Sequence, residues 1–240
     1  MTDNYRYMEK LDQATLEWMK ADGAYTRKVL DAIAPRAALQ KRVSALTGSF
    51  GFMQGYVSYG GREFYEERLP AADDFDLIVR DAAGARRLVD VDALRAVSGG
   101  RPYAINWFLA SQDGSKVAVG VSEGGSENAA MTVYDAATGK PIGSPIDRVQ
   151  LGATAWSHDS KTVYFNRLRQ LKPGESGTDT YKNSTLYGWN LKDEPFAVLG
   201  TRVGHGPKFA SEELPGLAII PGSTEALALS INGVQHEWKA

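Results

Sequence analysis

The sequence predicts a mainly β chain that begins with a short helical segment. A helical period of apolar residues runs through 11–33 and again through 36–46. From about residue 52 onward it gives way to short alternating or β-branched runs, separated by glycine, proline, serine, asparagine and aspartate. Two stretches of this β region also repeat with an offset of 46 residues. We therefore expect helices in 1–50 and strands in 52–240.

The two helices are predicted from apolar side chains that share one face. In the first helix Leu11, Trp18, Tyr25 and Val29 lie near one face at helical spacing. Pro35 ends this helix and can begin the next, because proline fits the first helical turn but not the interior. The second helix carries apolar residues at i, i+4 and i+7, and glycines follow it: Leu39, Val43, Leu46, Gly48 and Gly51.

The strands are predicted from short apolar runs bounded by turn residues. No helical period returns among them, so the body of the chain is predicted to be all-β. The runs are 62–67, 75–79, 116–119, 131–134, 162–165, 185–189 and 226–229.

An internal repeat organises these strands. Residues 110–117 (Ala-Ser-Gln-Asp-Gly-Ser-Lys-Val) align with 156–163 (Trp-Ser-His-Asp-Ser-Lys-Thr-Val), and 220–227 is a weaker third copy in which Ser223 replaces the aspartate. Each copy predicts a turn, held by Asp or Ser, between two strands. The period is typical of a four-stranded propeller blade of ~40–50 residues, but such turns alone leave a β-sandwich open. The longer third spacing predicts an insertion, most naturally in the polar run 172–179.

Five segments, in order, resemble the prolyl oligopeptidase family. Residues 3–9 (Asp-Asn-Tyr-Arg-Tyr-Met-Glu) are similar to its opening Asp-Pro-Tyr-Arg-Trp-Leu-Glu, and the helix with Trp18, 24–26 and Leu30 is similar to the one that follows there. Residues 87–94 resemble a family strand with the pattern Leu, Asp, Pro or Val, Asn, Leu. Residues 122–127, 133–135 and 138–140 resemble the strand and turn that follow its first Ser-x-Asp-Gly. Residues 156–160, with 163–165 behind them, resemble its Trp-Thr-His-Asp-Gly segment and the tyrosine-rich strand to which that segment leads.

The resemblance implies a fold, an activity and partners. The family pairs a seven-bladed propeller with an α/β-hydrolase domain that cleaves short peptides after proline. Residues 1–50 would be a helical lead-in that packs on the hydrolase, and 52–240 a partial propeller of about four blades at ~45 residues each. The implied partners are proline-containing peptides and the remaining propeller and hydrolase half. Compared with the family, the sequence is expected to start late and to stop in mid-propeller.

No catalytic, cofactor-binding or metal-binding residue is predicted. A hydrolase of this type needs a G-x-S-x-G elbow, and no serine here has glycine at both −2 and +2. Ser126 has Gly124 before it but Asn128 after it. The family is enzymatic, whereas the 240 residues alone are expected to be inactive. Phosphate-binding patterns are also missing, and the glycine pairs at 60–61, 99–100 and 124–125 are predicted to form turns.

The remaining polar and aromatic candidates favour structural roles. His158, His205 and His236 lack zinc-site spacing and the chain has no cysteine. An acidic cluster is conceivable as a glycosidase pair, although a solvated turn is favoured, and two adjacent glutamates on one strand are predicted to face opposite sides. Four tryptophans are predicted to pack between blades. The acidic and aromatic residues are Asp73, Asp74, Asp76, Glu66, Glu67, Trp107, Trp156, Trp189 and Trp238.

Composition narrows the class of function. The chain is 43% hydrophobic and 23% charged with a net charge of −2, so no field favours nucleic acid or an anionic membrane. There is no signal-peptide core and no run of ~20 apolar residues, which predicts a cytoplasmic protein, or a periplasmic one if the true start lies upstream. Two alternatives to a peptidase part stay open: a non-catalytic propeller that serves as a binding module, and a sugar-binding or sugar-cleaving propeller.

Overall fold

The computed structural model describes residues 3–220, 223 and 225–232. They fall into two compact units that divide between Phe50 and Gly51.

The first unit is helical. A 3-10 helix, Arg6–Glu9, precedes α1 (Gln13–Asp31) and α2 (Arg36–Thr47), close to the two helices predicted from the sequence. Asp12 caps α1 because its side chain accepts a hydrogen bond from the backbone N–H of Thr15, at 2.9 Å. Pro35 is the N-cap of α2. Within the described ranges, the helices are too short or too polar to cross a membrane.

The second unit is a succession of antiparallel sheets. Three sheets are four-stranded meanders, and a fourth sheet has two strands among the described residues. The predicted fold class, a partial β-propeller behind N-terminal helices, is confirmed. The strands are β1 Phe52–Tyr59, β2 Arg62–Arg68, β3 Asp76–Asp81, β4 Gly84–Val89, β5 Tyr103–Ala110, β6 Lys116–Glu123, β7 Ala130–Asp135, β8 Pro141–Ile146, β9 Ala153–Trp156, β10 Val163–Arg167, β11 Thr185–Trp189, β12 Phe196–Gly200, β13 Glu213–Ile219 and β14 Ala226–Asn232.

Alternating side chains of each sheet build the core on both of its faces. On β6, Val117 and Val119 pack toward the first sheet, against Phe64 and Leu77. Ala118, between them, packs toward the third sheet with Trp156 and Phe165. This follows from the period of two in a strand. A middle sheet therefore needs apolar residues in consecutive positions, which is why β6 contains Val-Ala-Val.

The repeated turns occupy equivalent places in neighbouring sheets, as the sequence predicts. Between β5 and β6, the Ser111 hydroxyl donates to the Asp113 carboxylate at 2.7 Å and accepts from the Lys116 N–H at 3.0 Å. Between β9 and β10, Ser157 donates to Asp159 at 2.7 Å and accepts from the Thr162 N–H at 2.9 Å. In each case the turn joins the first two strands of a four-stranded sheet.

The third copy of the repeat is shifted by one residue from the predicted alignment. The Ile220 N–H donates to the Glu225 carbonyl and the Ser223 N–H to the Ile220 carbonyl. In the first copy, Ser111 occupies the place of Ile220 and Gly114 the place of Ser223. The register confirms the shift, because Ile219 pairs with Ala226 as Ala110 pairs with Val117. Residues 221, 222 and 224 lie outside the described residues.

The predicted strand at 87–94 is wrong beyond Val89. β4 ends there, and Val91–Val97 forms a short helix, α3. The Asp90 side chain accepts a hydrogen bond from the Ala93 N–H at 2.8 Å, so it caps this helix. Capping of the free N–H groups outweighs the strand preference of Val91.

The predicted insertion is confirmed. Residues 168–184 connect β10 to β11 and contain the polar run 172–179, together with a 3-10 helix, Gly177–Tyr181. The sequence also predicts a final strand around 234–238, which lies outside the described residues.

Successive sheets touch directly through their first turns. A Cβ atom at Gly60 would lie 1.9 Å from the Asp113 carbonyl oxygen, and one at Gly114 would lie 2.2 Å from that of Tyr59. The Arg62 guanidinium donates to the Gly114 carbonyl at 3.1 Å. On the other side, the Asp113 N–H donates to the Ser160 hydroxyl at 3.3 Å. The turns of three sheets therefore form a continuous row.

We predict that Gly60→Ala destabilises the chain far more than Gly61→Ala. Both glycines have positive φ, +55° and +76°, so each alanine incurs a left-handed backbone cost of about 1–2 kcal/mol. Only Gly60 faces the neighbouring turn, whereas a Cβ at Gly61 meets no atom within 4 Å. Chemical denaturation of both variants measures the difference. Equal losses of unfolding free energy would show that the contact between the turns is not close-packed.

We predict that Asp113→Asn weakens folding by about 1 kcal/mol at neutral pH, a value already reduced for solvent exposure. Burial pushes the pKa of Asp113 upward, but hydrogen bonds from Ser111 and Ser115 bring it down from 3.8 to about 2. A depressed pKa stabilises the fold above the unfolded value, and this contribution disappears as pH falls from about 4 to about 2. Thermal midpoints of both proteins should therefore converge across that window. A difference that does not depend on pH would contradict the role of the charge.

Candidate functional site

The histidines and the serine considered in the sequence do not assemble into a site. His158 is exposed in the turn between β9 and β10, and His205 is exposed in the segment between β12 and β13. Ser126 is exposed in the loop after β6, where its hydroxyl accepts from the Asn128 N–H. His236 lies outside the described residues. Among residues 3–220, 223 and 225–232, no three His, Cys, Asp or Glu side chains are placed to share a metal ion.

The acidic cluster before β3 anchors a loop to α3. Asp74 forms an ion pair with Arg95, and Asp76 pairs with Arg87 at 2.9 Å. Asp76 also accepts a hydrogen bond from the Val91 N–H at 2.8 Å. Burial raises the pKa of Asp76, while the Val91 N–H and Arg87 counteract the rise. Asp73 is exposed. These contacts favour the structural interpretation over a glycosidase pair.

Three tryptophans bind backbone carbonyls through their indole nitrogens. Trp156 of the third sheet donates to the Leu109 carbonyl of the second, at 3.0 Å. Trp107 donates to the Val149 carbonyl at 3.1 Å, and Trp189 to the Asp193 carbonyl at 2.8 Å. All three contribute to the core between the second and third sheets, which confirms the predicted packing role. Trp238 lies outside the described residues.

A pocket opens between the first and second sheets, and we call it the inter-sheet pocket. Its volume is about 280 Å³. Both strands that border it are irregular: β1 has a bulge between Gln54 and Val57, and β5 has one between Ile105 and Trp107. Bulges redirect side chains and are frequent beside functional sites. The lining residues are Gly55, Val57, Tyr59, Glu66, Trp107, Phe108, Leu109 and Ala110.

Glu66 is the charged residue of the inter-sheet pocket. It is 8% exposed and shares a strand face with Phe64, which packs in the core between the two sheets. Gln54 of β1 donates to its Oε2 atom at 2.8 Å. Burial raises the pKa of Glu66, and the hydrogen bond from Gln54 partly opposes this. Glu67 pairs with Met53 in the register and belongs to the opposite face of β2, as predicted for adjacent glutamates.

A second pocket, of about 300 Å³, lies on the third sheet and is rich in arginine. Arg148, Arg167, Arg169 and Arg202 all line it. Asp147 pairs with the first two, and carboxylates therefore neutralise part of the positive charge. Arg169 pairs with Glu175 at 2.9 Å.

Sequence reasoning missed both pockets, because each forms where distant segments meet. A signal for the first was available. Glu66 lies two residues after Phe64 and therefore on the same, apolar face of the strand. A charged side chain is costly to bury on such a face. The signal for the second was weaker, a pair of arginines two positions apart at 167 and 169.

Known proteins share both the sequence pattern and the fold. A family model for the prolyl oligopeptidase N-terminal β-propeller domain matches residues 1–195. A structure from a study of two prolyl endopeptidases and their inter-domain dynamics is 21% identical, with a TM-score of 0.75, over 100% of this chain and 36% of that chain. Two structures of prolyl oligopeptidase B from Galerina marginata, bound to a 35mer and a 25mer substrate, are 14% and 15% identical. Each has a TM-score of 0.76 over 97% of this chain and 34% of its own.

The chain thus spans about a third of the length of the solved structures that it matches. At these identities the structural likeness concerns the fold, and it agrees with the meandering sheets described above. The family model, in contrast, covers most of the sequence, from the opening motif to the end of β11 in the third sheet. The chain belongs to the prolyl oligopeptidase family and corresponds to its N-terminal β-propeller region.

Proposed function

We propose that this chain is the propeller portion of a serine endopeptidase similar to prolyl oligopeptidase, and that it gates the access of peptides to a hydrolase domain. The observation that carries the proposal is the match to the family's propeller model over residues 1–195. The 240 residues contain no G-x-S-x-G elbow, so the nucleophile must come from elsewhere in such an enzyme. The chain itself would restrict the access of peptides and would supply no catalytic residue.

We further propose that residues 1–50 form the helical lead-in that packs on the hydrolase, and that 52–240 form the partial propeller. Large apolar side chains of the helical unit support this assignment, because they are exposed: Leu11 72%, Trp18 50%, Tyr25 68% and Val29 46%. Apolar clusters of this kind mark interaction surfaces. An α/β-hydrolase partner would cover them.

The fourth sheet supports a further partner, the remaining blades of the propeller. Leu227 on β14 is 43% exposed, and the other described residues of that strand are not fully buried. A pocket of about 280 Å³ lies beside it, lined by Phe209, Leu227 and Leu229 among others. Each blade of a propeller packs against two neighbours, so the apolar side of this sheet fits a following blade. A stand-alone binding module would need to cap it in another way.

We predict that the 240-residue chain alone neither reacts with a fluorophosphonate probe nor cleaves a proline-containing chromogenic peptide. Co-expression with the remaining propeller and hydrolase half of a family member should restore both. Trp18→Glu should reduce this restored activity at least tenfold, because it places a charge on the apolar helix face. Lys20→Glu, an exposed polar position on the same helix, is the matched control. Labelling of the isolated chain with turnover, or equal effects of the two substitutions, would contradict the proposal.

We predict that loosening the propeller changes which peptide lengths are cleaved. In the assembled enzyme, Gly60→Ala should raise the cleavage rate of a long proline-containing polypeptide relative to a decapeptide, since it disrupts the contact between adjacent turns. Gly61→Ala should leave this ratio near that of the unmodified enzyme. The ratio of the two rates is the measurement, so a general loss of active protein cancels. A constant ratio across the three proteins would argue against gating.

A further inference from the structure

The inter-sheet pocket combines an apolar wall with one buried carboxylate. Val57 and Phe108 belong to the core between the first two sheets and also line the pocket. Gly55 has φ of +65°, and a Cβ atom there would lie 2.9 Å from the Phe108 ring. Glycine is thus needed for β1 to pass this close to the ring. The chain maintains the cavity by its backbone shape, through this glycine and the two bulges.

Glu66 meets a neutral hydrogen-bond donor in this cavity. In the described part of the chain, Gln54 is the side chain that donates to it. Burial is the first cause of its raised pKa, and no nearby charge contributes to the shift. Tyr59 is the other titratable residue in the lining. A buried carboxylate without a cation is costly, because desolvation is not repaid by an opposite charge.

We propose that the inter-sheet pocket binds an ammonium group carried on a short apolar arm, as in a lysine side chain or a small aliphatic amine. Glu66 supplies the opposite charge, and the Phe108 ring and Val57 supply apolar contact for the arm. An ammonium group over an aromatic ring gains further attraction from the ring quadrupole. The volume of about 280 Å³ admits a group of this size and not a folded partner. The proposal does not rest on the peptidase function proposed above.

The test is a titration of the purified full chain by calorimetry and by NMR, with matched probes. n-Butylamine and acetyl-lysine amide should bind, whereas n-butanol, butyrate and acetyl-norleucine amide should bind at least tenfold more weakly. Glu66→Gln should weaken amine binding at least tenfold. Glu67→Gln, on the opposite face of the same strand, should leave it unchanged. Circular dichroism and thermal unfolding verify that both variants fold.

The pH dependence gives a second readout on the unmodified chain. Amine binding should disappear as pH falls through the pKa of Glu66, and at a higher pH than for an ordinary glutamate, because burial raises that pKa. Equal affinity for butylamine and butanol, no amine binding at all, or an unaffected Glu66→Gln variant would each overturn the proposal. The comparison of amine with alcohol decides it even where Glu66→Gln fails to fold.

Discussion

The spacing between neighbouring sheets depends on a contact between turns that only glycine permits. At Gly60 and Gly114 the backbones of the first and second sheets meet so closely that a single added carbon would overlap a carbonyl oxygen. This contact determines how far apart the two sheets lie near their turns. The valines of β6 and Phe64 of β2 then pack together in the core between these two sheets. The close approach of the two backbones thus determines the space between the sheets, and the side chains pack into that space.

The next turn in the row uses polar atoms for the same purpose. Ser160 is buried and has a positive φ of 56°, which is unusual for a serine. Its hydroxyl accepts from the Asp113 N–H, and its carbonyl accepts from the Lys116 ammonium at 3.2 Å. Strain at such a position persists only where the surroundings compensate it. The turn of the second sheet therefore contacts both neighbours, through glycine on one side and hydrogen bonds on the other.

Local patterns made most of the fold predictable, and failures occurred where two local signals competed. The strands follow from alternation, and the turns at 111 and 157 follow from their Ser-x-Asp sequences. Asp90 can cap a helix but lies among residues typical of a strand, and the chain forms the helix. In the third copy of the repeat the aspartate is missing. The sequence alignment of that copy therefore had no matching residue at the turn and was wrong by one position. The pockets were out of reach because they depend on which faces of distant strands meet, and on bulges that a period of two does not reveal.

The two interfaces of the second sheet are held together differently. Toward the third sheet, the Trp156 indole spans the interface with a hydrogen bond to Leu109, and large aromatic residues fill the layer. Toward the first sheet, the strands that carry the glycine contact also border a cavity a few residues away, between Gly55 and Phe108. Beside this cavity, the turn contact and the hydrogen bond from Arg62 to the Gly114 carbonyl join the two sheets. The interface between the first and second sheets is also where the chain buries a carboxylate, that of Glu66. A fold selected for stability alone would fill this space with an apolar side chain, so the retained cavity and charge favour a role in binding.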